Sequence, residues 1–258
     1  MRNAGKLLDI PIDRKDLLQT VNDAKAAIEA KAEKIVFACA NPHSIVIAQT
    51  DMAFKNALNQ ANLTVADGVG VTLMAKFAGI EIGPRITGSD YFFAIMKMLA
   101  ERGNGRVFFF GSSQKVLELI AVKLAQEYPS ITLCGMISPP FGDWDEIQNT
   151  QYIQQINQAK PDVLWVGMTA PKQEKWMHSH AAQLQMPVMG SIGAVFDFFA
   201  GTYPRAPQWM IRCGLEWFYR FLKEPKRMWK RAFVSNPRFV WLVLSRHVFG
   251  TYVGREAS

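Results

Sequence analysis

Cysteine is scarce in this chain of 258 residues: Cys39, Cys134 and Cys213 lie far apart, with no Cys-x-x-Cys pair. Odd in number and dispersed, they argue against a disulfide framework and against a cysteine zinc site. Of four histidines, His178 and His180 are neighbours, but no His-Glu-x-x-His occurs, and on a helix a His-x-His pair points its rings to different faces. No metal site is expected. The Gly-x-Gly-x-x-Gly of dinucleotide folds, the Gly-x-x-x-x-Gly-Lys-Ser/Thr of P-loops and the Gly-x-Ser-x-Gly of serine hydrolases are all missing. No apolar run approaches the ~18 residues of a membrane span. The first ten residues lack the apolar run of a secretion signal, so a cytoplasmic location is expected. Internal repeats and low-complexity tracts are lacking too.

What is present is a globular composition, 49% hydrophobic and 20% charged, in a length suited to one large α/β domain with an appendage. The net charge of +7 is unevenly spread. Residues 204–258 hold 11 Lys/Arg against 3 Asp/Glu, a net of +8, leaving −1 for residues 1–203. The same segment carries four of the seven tryptophans: Trp209, Trp217, Trp229 and Trp241. This shift sets the expected organisation: a core over 1–203 and an appendage over 204–258.

Within the core, apolar β-type runs alternate with helical periodicity. Strands are expected over 7–12, 34–40, 63–66, 106–110, 131–137, 162–168 and 187–192, and helices over 16–32, 44–60, 71–78, 91–102, 113–128, 144–160 and 175–185. The alternation predicts a Rossmann-like, mostly parallel sheet flanked by helices. After Pro204, prolines open or break three helices, over 207–223, 225–233 and 237–248, that mix Arg/Lys with Trp/Phe/Leu. Helices of that composition often lie on a membrane surface.

The densest chemistry is at Leu63-Thr-Val-Ala-Asp-Gly-Val-Gly70, where a strand ends on Asp67 and Gly68 and Gly70 punctuate the turn into a helix. Ligands of open α/β sheets bind beyond the carboxyl ends of strands, and helix N-termini attract phosphate. Asp67 as a mere helix cap is the simpler alternative. Asn41 and Gln173 sit at the ends of other strands and face the same side, and Gly111-Ser-Ser113 resembles half of a phosphate turn. Asp143-Trp-Asp145 has the form of a metal-binding Asp-x-Asp, but it opens a helix, and capping explains it fully.

Taken in order, Ala40-Asn-Pro42, Ala66-Asp-Gly-Val-Gly70, Arg85-Ile-Thr-Gly-Ser-Asp90, Ala170-Pro-Lys-Gln-Glu-Lys-Trp176, Gly193-Ala-Val-Phe-Asp197, Arg205-Ala-Pro207 and Gly214-Leu-Glu-Trp217 resemble the WecG/TagA/CpsF glycosyltransferases, the GT26 group, from about residue 8 to 240. The resemblance implies an inverting transfer of a sugar from a UDP-sugar to a polyprenyl-diphosphate-linked acceptor, in bacterial cell-surface or exopolysaccharide biosynthesis. It implies Asp67 as general base, and Asn41 and Gln173 as site residues. Gly68, Arg85 and Gly111 are taken as substrate-binding with them. From the appendage it implies Arg220 and Arg227, and less specifically Lys230 or Arg231. At Cys39 the sequence departs from the family, which often has threonine there; a thiol is the weaker hydrogen-bonding group. No cofactor is implied. The expected partners are the UDP-sugar, the lipid-linked glycan and an anionic membrane surface at the inner face of the cell membrane, not nucleic acid; homo-oligomers are compatible with the sequence. The alternative is a basic-tailed protein that binds nucleic acid or a membrane surface without catalysis.

Overall fold

The computed structural model describes residues 2–30 and 33–249, apart from the side chains of Gln208, Arg212, Arg227 and residues 247–249. The chain opens on an antiparallel hairpin, β1 (Ala4–Leu7) and β2 (Ile10–Asp13), where sequence reasoning expects one strand. Its turn residues Leu8 and Asp9 both have positive φ, 51° and 64°, as a type I′ hairpin turn requires. Leu-Asp is not a residue pair that announces such a turn; burial of Leu8 and pairing of Asp9 with Lys55 hold it.

Next come α1 (Leu17–Ala30), β3 (Ile35–Ala40), α2 (Pro42–Ala48), α3 (Met52–Gln60), β4 (Leu63–Ala66) and α4 (Val69–Phe77). The single helix expected over 44–60 is two, because the Asp51 carboxylate caps α3 by accepting from Phe54 N–H at 3.0 Å. Then follow α5 (Gly88–Arg102), β5 (Arg106–Gly111), α6 (Gln114–Glu127), β6 (Thr132–Ile137), α7 (Glu146–Ala159), β7 (Val163–Gly167), α8 (Lys172–His180), β8 (Val188–Ser191) and α9 (Val195–Ala200).

Six strands form one all-parallel sheet in the order β4-β3-β8-β7-β5-β6. Side chains alternate between its faces, and both faces are covered. Phe109 and Trp165 join the cluster under α1, α5, α6 and α9, whereas Phe108, Phe110, Leu164 and Val166 join the one under α7 and α8. Trp165 is fully buried, and truncating it to alanine is expected to cost ~3–5 kcal/mol. The edge strand β4 is shielded by the hairpin, whose Asp13 carboxylate accepts from Thr64 N–H at 2.7 Å and pairs with Arg2. β5 leads outward to β6 while β7 leads back to β8, so the connections diverge at the carboxyl ends of β5 and β7. Such a switch point opens a crevice.

The C-terminal segment forms α10 (Gln208–Arg212), α11 (Glu216–Lys223) and α12 (Pro225–Trp229), then a π-helical stretch (Lys230–Ser235), α13 (Asn236–Val243) and a second π-helical stretch (Leu244–Phe249). Gly214, with φ 72°, breaks the first expected helix in two. Pro237 breaks nothing: it stands at the start of α13, directly after the π-helical stretch, and the helical backbone runs on through it. Phe239 and Val243 are buried in one cluster with Leu7, Ile45 and Val46. Among the described residues no helix is long and apolar enough to cross a membrane.

Candidate active site

A cavity of about 990 Å³ lies at the carboxyl end of the sheet, roofed by α4 and the C-terminal helices. Asp67 is on its wall. β4 ends at Ala66, and the Asp67 N–H is held by Ala40 C=O at 3.0 Å. Gly68 then turns the chain with φ 111°, a conformation that side-chain-bearing residues rarely adopt, and α4 begins at Val69. The cap position of α4 is Gly68, and no side chain caps this helix. The Asp67 carboxylate is therefore not spent on capping.

Its environment raises its pKa. Burial pushes its pKa up to about 6, with the Glu216 carboxylate acting in the same direction; Arg220, a hydrogen bond from Asn41 and Arg85 pull the other way. Asn41 owes its orientation to α2, for its Oδ1 accepts from Ser44 N–H at 2.9 Å as the helix cap. Arg85 crosses to the C-terminal segment: its guanidinium lies 3.9 Å from Glu216 and donates to Ile211 C=O at 3.4 Å. Arg205 contacts Glu216 at 3.8 Å and Asp90 at 3.2 Å. Arg220 stacks 5.6 Å above the Phe198 ring and lines the cavity, its buried Nε without a hydrogen-bond partner. One carboxylate, Glu216, and two guanidiniums, Arg220 and Arg85, thus act on Asp67, and Arg205 ties Glu216 to Asp90.

The other half of the cavity is built from the switch-point turns. Gly111 has φ 125°, and a Cβ there would meet Gly167 C=O at 2.5 Å, so only glycine lets the two strand ends approach. Gly111 stands behind the wall, whose surface there is formed by Ser112 and Ser113. Ser113 caps α6. Gln173, expected to reach a ligand, lines the cavity but is largely committed: Oε1 accepts from Met168 N–H at 3.3 Å and Gly193 N–H at 3.1 Å, and Nε2 donates to Glu174 at 2.7 Å. It ties the turns after β7 and β8 together. The side chain of Arg227 lies outside the described residues. Asp145 caps α7 in a reciprocal capping box with Gln148. Lys172 lies 3.7 Å over the Trp144 ring and donates to Gly142 C=O, pinning the 139–144 loop over the cavity.

Four residues of this wall were not singled out from sequence, or not with a role. Glu216 sits inside a quoted motif, but only the fold shows that it faces Asp67. Glu174 is buried, its carboxyl pushed up by desolvation, with Oε2 unpartnered. His43, 2.7 Å from Ser235 Oγ, is held down to about pKa 4 by burial and Arg231, hence neutral near pH 7. Cys39 lines the cavity, and burial with the Asp67 and Glu174 carboxylates keeps it a thiol. Glu174, like Glu216, sits inside a quoted motif without a role of its own, and no signal at the sequence level marks His43.

A carboxyl group raised to about pKa 6, guanidiniums beside it and a crevice at the switch point suit group transfer with an anionic leaving group. Comparison with known proteins agrees. Relatives include an N-acetylglucosaminyldiphosphoundecaprenol N-acetyl-beta-D-mannosaminyltransferase of Bacillus subtilis (strain 168), 33% identical over 81% of this chain and 78% of its own. A protein of the same name from Staphylococcus aureus (strain MW2) is 30% identical over 92% and 91%. This makes the chain an enzyme and sets aside the non-catalytic alternative. With the model of the Glycosyl transferase WecG/TagA/CpsF family matching residues 5–252, the chain belongs to that family.

Proposed function

We propose that this glycosyltransferase moves a sugar, with inversion, from a UDP-sugar to a polyprenyl-diphosphate-linked glycan, with Asp67 as general base. The observation that carries the reading is the Asp67 carboxylate, uncommitted to capping, raised to about pKa 6 and open to a cavity that also holds Arg85 and Arg220. An acceptor hydroxyl oxygen attacks the anomeric carbon from the face opposite UDP. Its proton passes to Asp67, the bond from the anomeric carbon to the phosphate oxygen breaks, and the electron pair leaves with UDP. The growing charge on UDP is stabilised by Arg220, with Arg227 and Arg231 as further candidates, and by the N–H groups of the switch-point turns. Gln173 keeps those turns in place. No divalent metal is assigned to the step, since Asp145 is occupied as a cap.

The relatives' names give an N-acetylmannosaminyl group and an N-acetylglucosaminyl-diphosphoundecaprenol acceptor; joined to the UDP donor proposed here, they make UDP-N-acetylmannosamine and that acceptor the first pair to test. The basic, tryptophan-rich C-terminal segment supports a peripheral position on the anionic inner face of the membrane, where each basic residue near the surface contributes about 1 kcal/mol. The test is incubation of purified enzyme with a panel of UDP-sugars, with and without lipid-linked acceptor, following UDP release and the glycosylated lipid. Acceptor-dependent UDP release with one donor is expected. No release with any donor–acceptor pair would overturn the reading.

A further inference from the structure

Helix α4 is apolar on both sides. Val71 and Ala75 face the core. Outside, Val69, Leu73 and Phe77 recur every fourth residue and are 36, 59 and 65% exposed. A surface helix ordinarily turns its polar face outward, and four-residue spacing puts these three on one line. The line starts at the site: Val69 is two residues beyond Asp67, and Val69 and Leu73 both line the cavity. It ends about 12 Å farther along the helix, at Phe77. Across the same opening, Trp217 and Val240 line the cavity while remaining 47 and 39% exposed. Arg220 and Arg231 belong to the same cavity wall. A ligand whose reacting end meets Asp67 can therefore set an anionic group against guanidiniums and run an apolar chain out between two apolar lips.

We propose that the Val69–Leu73–Phe77 stripe, faced by Trp217 and Val240, is the track for the first isoprene units of the acceptor's polyprenyl chain. This rests on the lipid-linked acceptor proposed above. The occupant follows from continuity: the stripe is reached through the catalytic cavity rather than standing apart from it. A chain laid there hides apolar surface on both partners, about fourfold in affinity for each methylene fully buried.

The experiment uses the full chain, UDP-N-acetylmannosamine (or the donor that the panel selects) and water-soluble N-acetylglucosaminyl diphosphates with progressively longer prenyl or alkyl chains, without vesicles and below micelle-forming concentrations. For the wild type, kcat/KM is expected to rise steeply with chain length. In Leu73→Glu/Phe77→Glu the long-chain to short-chain ratio of kcat/KM falls by about tenfold or more. The milder Leu73→Ser/Phe77→Ser gives the same trend if the charged pair folds poorly. An unchanged ratio in folded variants overturns the proposal. So does loss of vesicle binding with the ratio intact, which would assign the stripe to the bilayer, or dissociation of an oligomer with the ratio intact, which would assign it to a second copy. A wild type that transfers to short and long acceptors alike also overturns it, whereas one that transfers to no lipid-linked acceptor overturns the acceptor class itself.

Discussion

Replacing Asp67 by asparagine is expected to make the enzyme more stable and nearly inactive at once. The carboxyl ionises at about 6 in the fold, against 3.8 as the ordinary value. Between those values the folded state holds a proton that the unfolded chain has released. The fold therefore weakens as pH rises through this window, by about 1.4 kcal/mol for each pH unit crossed. The penalty is on the order of 3 kcal/mol near pH 8, roughly half that near pH 5, and absent below the unfolded value. Asparagine keeps the shape and drops the charge. For a chain of this size that corresponds to a rise in Tm of roughly 6–12 °C near pH 8, shrinking as the pH is lowered. Turnover falls by about 10²–10⁴-fold, because the proton has no acceptor. In the wild type, kcat/KM rises with pH and levels off above about 6, since only the ionised base works. Thermal melts across this pH range, paired with acceptor-dependent UDP release, measure both effects. A variant that melts no higher than wild type near pH 8, or that turns over within a few fold of it, would refute the assignment of a desolvated, destabilising catalytic base.

Glu216→Gln removes a charge that raises the Asp67 pKa while leaving Arg220 and Arg85 to lower it, so the acid limb of the pH–rate profile moves to lower pH. An unmoved limb would mean that the two carboxylates do not interact. Excess EDTA is expected to leave transfer unaffected, because the Asp145 carboxylate is held by its own helix; chelator inhibition rescued by Mg²⁺ or Mn²⁺ would contradict this. Glu174→Gln keeps an acceptor for the Gln173 amide and is expected to retain activity. Glu174→Ala releases that amide from its fixed orientation, loosens the Met168 and Gly193 turns and raises the donor KM; equal kinetics for the two variants would deny the role.

The parallel sheet was legible because its strands are buried on both faces and read as continuous apolar runs between helical segments. The misses share a cause. Leu8 and Asp9 form a hairpin turn without turn-type residues, and Asp51 caps a helix inside an apolar periodicity that looks continuous. In both places tertiary contacts or one side-chain hydrogen bond outweigh the local pattern. At the site, Asp67 and Asn41 were legible because each directly follows a strand in a parallel sheet. Their long-range partners were less so: Arg220 was named only through the family resemblance and Glu216 only inside a motif, both lie about 150 positions from Asp67 in sequence, and no local pattern encodes that approach. Gln173 was found for its position, but its hydrogen bonds make it a brace.

The C-terminal segment is the place where composition and packing draw different boundaries, and this decides what truncation will do. Charge and tryptophan content put the break at residue 204. Packing does not stop there, because Phe239 and Val243 are buried in the cluster formed by the hairpin and α2, and Arg246 pairs with Asp9 at 2.8 Å. Removing residues 204–258 therefore does three things. It takes Glu216 and Arg220 from the cavity, it removes most of the basic surface, and it uncovers Ile45 and Val46. Deleting one buried phenylalanine side chain costs ~3–5 kcal/mol, so the truncated core is expected to fold but to melt well below the full chain. It should also lose binding to anionic vesicles and nearly all transfer, even to a water-soluble acceptor. The last point separates two jobs. A segment that only anchors the enzyme would leave transfer to a soluble acceptor intact, whereas one that supplies part of the base's electrostatic surroundings cannot. Full activity of the truncated core in solution would show that the diphosphate is held elsewhere and that Glu216 and Arg220 are bystanders.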